Sequence, residues 1–136
     1  MAVLDIDRFK QVNDTYGHTI GDEAIKFIAA HLTAWNPHYD ISIVRYGGDE
    51  FIILMPYPLS DMEQELLQLH EKIMSTPLYV EKLQMDIPIS ISIGVGHTKD
   101  DYYTIDLLFE KADTAIYKAK ESRSAIVMQE MDTQLN

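Results

Sequence analysis

This chain contains no cysteine, and only 11 of its 136 residues are lysine or arginine, against 22 aspartates and glutamates. The absence of cysteine excludes disulfide bonds, thiolate zinc sites and a cysteine nucleophile. The formal net charge of −11 argues against a general nucleic-acid surface, because such surfaces are basic. An anionic ligand would therefore need a metal ion or a local group of cations in order to bind.

Long apolar runs are also missing, and no segment approaches the ~20 residues that a membrane-spanning helix requires. The sequence does not start with the pattern of a signal peptide, and we expect a cytoplasmic protein. A hydrophobic content of 46% excludes a disordered chain. The length suits one domain, which we assign to residues 1–128, followed by a frayed polar tail at 129–136.

The apolar pattern alternates between the periods of strands and helices. It predicts strands at 2–6, 41–44, 51–54, 89–93 and 125–127, and helices at 8–16, at 21–35, from position 60 to Pro77, and onward from Thr104. We expect Asp7 and Thr104 to cap helices, and Ser60 to form a capping box with Glu63. The order of elements predicts helices packed on a mixed sheet with antiparallel hairpins.

Burial follows from the same pattern. Strict alternation in 89–93 predicts a strand that is buried on one face only. Met62, Met74 and Met85 are expected to fill the core. Residues 78–87 suit an irregular hairpin or a short strand.

Two glycines, Gly47 and Gly48, separate two apolar runs in the manner of a tight hairpin turn, and Asp49 and Glu50 follow at once. Unpaired carboxylates beside apolar strand residues are unfavourable, and a divalent cation offsets that penalty. Backbone N–H groups of such a turn can approach a phosphate closely. An acidic hairpin tip in solvent explains the same residues without any ligand.

A second pair of acids, Asp5 and Asp7, ends the first predicted strand, and ligand sites in α/β sheets favour strand ends. The simplest division of roles is that Asp5 faces a metal and Asp7 caps the next helix. If the first strand lies beside the hairpin, Asp5 and Asp49 can converge on one Mg²⁺. Taken alone, Asp5 is better explained as the polar end of a strand.

Polar residues between positions 9 and 22 suggest a nucleotide. Helical spacing puts Phe9 and Asn13 on one side, and Lys10 lies in the first turn, where the helix dipole favours an anion. The Asn13 amide and the Asp22 carboxylate together suit guanine, because Asn can pair with the base oxygen and Asp can accept from N1–H and the 2-amino group. Caps and surface polar groups explain each residue when it is considered singly.

With these motifs combined, the chain resembles the GGDEF-domain diguanylate cyclases over nearly its whole length. The matching segments are 5–10, 13–14, 16–18, 21–22, 45–51, 92–95, 112–113, 115–117 and 119–120. The resemblance implies an α/β (α+β) fold, namely a palm-like, adenylyl-cyclase-type mixed sheet with helices packed on it and a ferredoxin-like core. It implies an enzyme that condenses two GTP into cyclic di-GMP and two pyrophosphates in bacterial second-messenger signalling.

The resemblance also implies roles for single residues. The metal, Mg²⁺ with Mn²⁺ as an alternative, is expected at Asp5, the carbonyl of Ile6, Asp49 and Glu50. Asp49 or Glu50 is expected to accept the proton of the attacking hydroxyl. The implied substrate contacts are guanine reading by Asn13 and Asp22, a phosphate cradle of Phe9, Lys10, Gly47 and Gly48, and a distal phosphate-binding lysine at Lys120.

One domain of this kind holds one GTP, so synthesis implies a homodimer related by a two-fold axis. The resemblance further implies an attached sensory or regulatory domain, and no nucleic-acid partner. Two other interpretations are open. One is a catalytically idle, GTP-binding regulatory module that acts on a partner or an attached domain, and the other is a ferredoxin-like interaction domain without a nucleotide.

Three features depart from the family pattern. A helix and an Asp-x-Leu-Thr-Gly-Leu-type segment usually precede the first strand, whereas this sequence starts at Met1, as in an N-terminally truncated member. The phosphate-binding arginine of the family falls on Ser124, next to Arg123. The Arg-x-x-Asp product site of the family falls on His38 and Ile41, so we expect no feedback binding of cyclic di-GMP there.

Overall fold

The computed structural model of the chain describes residues 1–35, 40–99, 104–123 and 125–130. The strands are β1 (Ala2–Ile6), β2 (Ser42–Gly47), β3 (Glu50–Leu54), β4 (Leu78–Val80), β5 (Met85–Ile87), β6 (Ile91–His97) and β7 (Ile126–Glu130). The helices are α1 (Phe9–Tyr16), α2 (His18–Trp35), α3 (Leu59–Met74) and α4 (Ile105–Ser122). The mixed α/β fold that the sequence predicted is confirmed.

Five strands form the main sheet in the order β2-β3-β1-β6-β7, and β4 with β5 forms a separate small hairpin. The pairs within the main sheet are antiparallel except β6 with β7, which is parallel. The first strand therefore lies directly beside the glycine hairpin, which was the condition for Asp5 and Asp49 to meet. The strand predicted at 125–127 is present as β7, and it lies at one edge of the sheet.

The sheet is covered on both faces. Leu4 and Ile6 of β1 join the larger core, to which α2 and α3 also contribute buried side chains. Val3 faces the other side, where it packs against Ala112 and Ile116 of α4. Alternate residues of β1 thus face different helices, and Asp5 is placed on the α4 side with Val3.

Two helix starts differ from prediction. α3 begins at Leu59 after Pro58 and has no side-chain cap, so the capping box at Ser60 was wrong. Pro58 takes the N-cap position, where its side chain offers no hydrogen-bond acceptor. α2 begins at His18, so the residues expected to form a loop before Gly21 are helical. Thr104 does cap α4, where its hydroxyl accepts a hydrogen bond from the Leu107 amide.

Burial also differs at several positions. β6 is buried on both faces because α4 covers the face that the alternation predicted to be open. Met62 is buried as expected, but Met74 and Met85 are 37% and 43% exposed, so their placement in the core was wrong. β7 runs to Glu130, so Gln129 and Glu130 belong to a strand rather than to the frayed tail.

Candidate functional site

The carboxylates of the two acidic motifs meet at one end of β1 and β3. The antiparallel register places Asp5 directly opposite Glu50. At the same point the Ile6 amide donates to the carbonyl of Asp49, with a nitrogen–oxygen distance of 3.4 Å. Residues from the start and the middle of the chain therefore share one site at the end of these two strands.

Asp5 is the electrostatic centre of this site. Its side chain is buried, and the ammonium group of Lys120 lies 2.7 Å from Oδ2. The pKa of Asp5 is raised to about 7, first by burial and then by the neighbouring Asp49 carboxylate, against the opposing effect of Lys120. Oδ1 of Asp5 is buried without a hydrogen-bond partner among the described residues. A buried oxygen in that state is suited to a cation.

The carboxylates at this point are candidates to hold a magnesium ion. Within the described ranges, no group of three or more His, Cys, Asp or Glu side chains is placed to hold a metal. Mg²⁺ is commonly bound through one or two carboxylates, and phosphates and water complete its shell. Asp5 and Asp49 supply such a pair. Ligation by the Ile6 carbonyl and by Glu50 stays a prediction.

Glu50 lies next to a further acid that sequence reasoning missed. The pKa of Glu50 is raised by burial, then by the charges of Asp113 and Asp49, while Lys120 lowers it. Asp113 is an exposed residue of α4, two helical turns before Lys120. Helical spacing puts Asp113 and Lys120 on the same side of α4, and that spacing was a usable signal.

The turn beside these acids has the geometry that its glycines predicted. Gly47 and Gly48 adopt φ values of 141° and 44°, which favour residues without a β-carbon. The Arg45 guanidinium donates to the carbonyl of Gly48 from Nε at 3.1 Å and from Nη2 at 2.7 Å. These bonds hold the turn closed and orient Asp49, which follows Gly48 directly.

Asp7 does not cap α1, and that prediction was wrong. Its carboxylate instead accepts hydrogen bonds from the hydroxyl of Ser90 at 2.5 Å and of Ser92 at 2.6 Å. The residue before α1 is Arg8, at φ 55° and without a side-chain cap. Asp7 therefore fastens the loop between β1 and α1 to β6, and the serines were too distant in sequence for this contact to be predicted.

The residues expected to read a base are partly assembled. Asn13 is half-buried, and its Oδ1 is a buried atom without a hydrogen-bond partner among the described residues. A methyl group on Gly21 would overlap that oxygen and would lie 3.4 Å from the Phe9 ring. Glycine at position 21 thus lets the Asn13 amide pack against the backbone of α2, and exposed Asp22 follows it on α2.

The remaining predicted phosphate contacts are two lysines, Lys10 and Lys120. Lys10 is exposed in the first turn of α1. Lys120 is engaged by Asp5, so its ammonium group is already held at the acidic centre. Position 124, where the family has an arginine, and position 38 lie outside the described residues.

Comparison with known proteins gives a consistent family. A family model described as "Diguanylate cyclase, GGDEF domain" matches residues 1–125. The chain is 36% identical over 127 residues to Response regulator PleD of Caulobacter vibrioides. The aligned segment covers 92% of this chain and 28% of that protein. It is 36% identical over 124 residues to Diguanylate cyclase DgcP of Pseudomonas aeruginosa, which covers 90% of this chain and 18% of that protein. The chain thus spans well under half the length of these relatives.

Solved structures agree in fold. The GGDEF domain of DgcB from Caulobacter crescentus, in complex with c-di-GMP, superposes with a TM-score of 0.85 at 30% identity, covering 93% of this chain and 75% of that one. Diguanylate cyclase SiaD from Pseudomonas aeruginosa, in complex with its activator SiaC, superposes with a TM-score of 0.84 at 32% identity, covering 93% of this chain and 48% of that one.

Among the described helices, none combines the length and the apolar character needed to cross a membrane.

Proposed function

Because the chain belongs to the GGDEF-domain family of diguanylate cyclases, we propose that it condenses two GTP into cyclic di-GMP and two pyrophosphates. The observation that carries the proposal is the meeting of Asp5 and Asp49 beside Lys120 at one end of the sheet. A generic interaction domain has no need of a buried, unpartnered carboxylate oxygen at that place.

The base would bind beside Asn13 and Asp22. The Asn13 amide would donate to the base oxygen of guanine, and the Phe9 ring would pack nearby. Asp22 would accept from the N1–H and 2-amino groups. Such a site rejects adenine, because adenine has no oxygen for the Asn13 amide and no N1–H for the Asp22 carboxylate.

The triphosphate would lie across the turn and the acidic pair. Asp5 and Asp49 would hold Mg²⁺ or Mn²⁺, which when bound neutralises phosphate charge and lowers the pKa of the attacking hydroxyl. The N–H groups beside Gly47 and Gly48 can approach the phosphates, because no β-carbon stands in the way. Lys120 would add a positive charge beside the same oxygens.

In the chemical step, the 3′-hydroxyl oxygen of one GTP attacks the α-phosphorus of the other. The new phosphorus–oxygen bond forms as the bond to the bridging oxygen breaks, and pyrophosphate leaves. The hydroxyl proton passes to the carboxylate of Glu50, whose raised pKa makes it a better proton acceptor than an ordinary carboxylate. Two such steps close the ring.

Each chain provides one base site, so the two GTP molecules would be brought together by two copies of the domain about a two-fold axis. The relatives are much longer than this chain, which supports control by further domains in the whole protein. A signalling role would follow from that control. We expect a cytoplasmic location, where GTP is available.

The test is incubation of the protein with GTP and Mg²⁺, followed by chromatography for cyclic di-GMP. Wild type should form the product and Asp49→Ala should not. Glu63→Ala, which changes an exposed side chain of α3, should match wild type. GTP binding without any product in wild type would favour the idle regulatory module instead. Absence of both binding and product would contradict every nucleotide interpretation.

A further inference from the structure

The turn that joins β2 to β3 is a two-residue hairpin loop. Gly47 pairs with Glu50, so Gly48 and Asp49 are the two central residues of the loop. Gly48 has a φ of 44°, whereas Asp49 does not have a positive φ. These signs match a type II′ turn, in which the first central residue is glycine. The peptide between Gly48 and Asp49 therefore lies at the tip of the hairpin.

The central peptide of such a loop has two favoured orientations. Turning the peptide over converts a type II′ turn into a type I′ turn, which requires a positive φ at both central residues. Gly48 meets that requirement without strain, and aspartate is one of the few other residues that adopt the left-handed region. The residues of the loop thus allow either orientation, and a contact from outside the loop must select one of them.

Arg45 supplies that contact. Its guanidinium group donates to the carbonyl of Gly48 from Nε at 3.1 Å and from Nη2 at 2.7 Å. Arg45 is exposed and takes part in no ion pair within the described ranges, although the chain has 22 acidic residues. Two donors on a rigid planar group fix the direction of a carbonyl more strictly than one donor does. The contact therefore holds the peptide in one orientation.

This orientation decides which backbone group faces the acidic site. In a planar trans peptide the carbonyl and the N–H point in opposite directions, so the Asp49 amide points away from Arg45. Arg45 pairs with Phe51, which belongs to the larger core on one face of the sheet. Glu50 pairs with Asp5, which lies on the opposite face. The Asp49 amide is therefore directed toward the face that carries Asp5 and Glu50.

We propose that Arg45 is a positioning residue, which keeps the tip peptide of the hairpin with its N–H toward the phosphates. This inference rests on the proposed function, and it concerns a residue that acts through the backbone rather than on the substrate. With the peptide turned over, the carbonyl oxygen of Gly48 would face the phosphates and repel them. The φ of Asp49 would also change sign, which would redirect its carboxylate away from Asp5.

Nuclear Overhauser contacts in isotope-labelled protein without nucleotide test the orientation directly. In a type II′ turn the Asp49 amide proton lies close to the α-protons of Gly48, and in a type I′ turn it lies close to the Gly48 amide proton. Wild type should show the first contact, and Arg45→Gln should show both as the peptide exchanges between orientations. Val44→Ala is the matched control and should match wild type, because Val44 is 57% exposed on the same strand and next to Arg45.

Calorimetry with Mg²⁺ tests the consequence for binding, with GTP and with guanosine, which has no phosphate. We expect Arg45→Gln to weaken GTP binding about tenfold and to leave guanosine binding unchanged. Arg45→Lys keeps the charge but lacks the planar pair of donors, so it should weaken GTP binding to a similar extent. Val44→Ala should bind both ligands like wild type.

Other outcomes overturn the inference in distinguishable ways. Wild-type Overhauser contacts or wild-type GTP affinity in Arg45→Gln would overturn it while the proposed function stands. Wild-type affinity in Arg45→Lys would assign the effect to charge and would also overturn it. Equal changes in Arg45→Gln and Val44→Ala would indicate a general weakening of the hairpin and would count against it. Failure of wild type to bind GTP would overturn the proposed function itself.

Discussion

Lys120, in the last turn of α4, places its ammonium nitrogen 2.7 Å from Oδ2 of Asp5 on β1. The other oxygen of the same carboxylate is buried and has no partner among the described residues. The pair is therefore half of a site, in which one oxygen is neutralised by the protein and the other is left for a cation. The predictions below follow from this relationship and from the residues around it.

Replacement of Asp49 with alanine is expected to remove synthesis of cyclic di-GMP, by roughly a thousandfold or more, because it removes one of two metal-binding carboxylates. The fold should persist, since the half-buried Asp49 lies at a turn outside the hydrophobic core. Product chromatography and thermal unfolding measure the two effects. Activity of Asp49→Ala near that of wild type would rule out a metal site at this pair.

The stability of the metal-free protein should fall as pH rises from about 4 to about 7. The pKa of Asp5 is raised in the folded state from 3.8 to about 7, so the folded protein holds a proton that the unfolded chain releases in this window. The free energy of unfolding decreases with pH wherever the folded state binds more protons. Chemical denaturation at several pH values, with metal removed by a chelator, measures this slope.

Asp5→Asn serves as the control for that slope, because the amide resembles the protonated acid and does not titrate. The free energy of unfolding of the variant should lack the pH dependence that Asp5 causes. Above pH 7 the variant should therefore be more stable than wild type. Added Mg²⁺ should stabilise wild type more than the variant at pH 8, since the ion binds the charged carboxylate. Identical slopes for wild type and Asp5→Asn would show that Asp5 does not carry this proton.

Gly21→Ala should weaken GTP binding, because the new methyl group would overlap Oδ1 of Asn13. Asn13→Ala should raise the KM for GTP about tenfold with a smaller effect on kcat, as expected for the loss of one hydrogen bond to the base. Thr33→Ala, on the exposed side of α2, is the matched control. Steady-state kinetics measure both parameters, and an unchanged KM in Asn13→Ala would place the base elsewhere.

Asp113→Asn should shift the acidic limb of the pH–rate profile to lower pH. The charge of Asp113 raises the pKa of Glu50, so its removal lowers that pKa and Glu50 loses its proton earlier as pH rises. The rate at neutral pH should change little. Glu110→Gln, which also removes one negative charge from α4, is the control, and an equal shift in both variants would show a general effect of charge.

Cyclic di-GMP should not bind at the position of the family's product site. Ile41 is partly buried against the core there, and neighbouring Asp40 accepts a hydrogen bond from the Tyr57 hydroxyl at 3.2 Å. An apolar side chain at position 41 offers no acceptor to a guanine base. Calorimetry measures this directly, and micromolar binding that His38→Ala abolishes would contradict the prediction.

Local patterns were enough to find most elements of this fold. The periodicity of α4 identified its buried face, since Leu108, Ala112 and Ala115 follow one helical stripe. The glycine hairpin was evident from two glycines between apolar runs. Helix starts were less well predicted, because Asp7 and Ser60 carry capping side chains that the folded chain does not use for capping.

The site was partly predictable because its acidic residues lie in local sequence motifs. Asp5 and Asp49 each appeared in a local acidic motif, and pairing of β1 with β3 was the step needed to join them. The hydrogen bonds that Asp7 accepts from Ser90 and Ser92, and the approach of α4 with Asp113 to Glu50, were not visible in any local pattern. Each depends on residues that are far apart in the chain.

The sequence by itself determined which chemical groups this protein has: acids beside a glycine turn, few cations, no thiol, and the period of each helix and strand. Only the tertiary structure decided which of those groups meet. Strand order sets Asp5 beside Glu50, and the packing of α4 on the sheet brings Lys120 to Asp5. The physical reason is that burial and charge act over a few ångströms in space, regardless of distance along the chain.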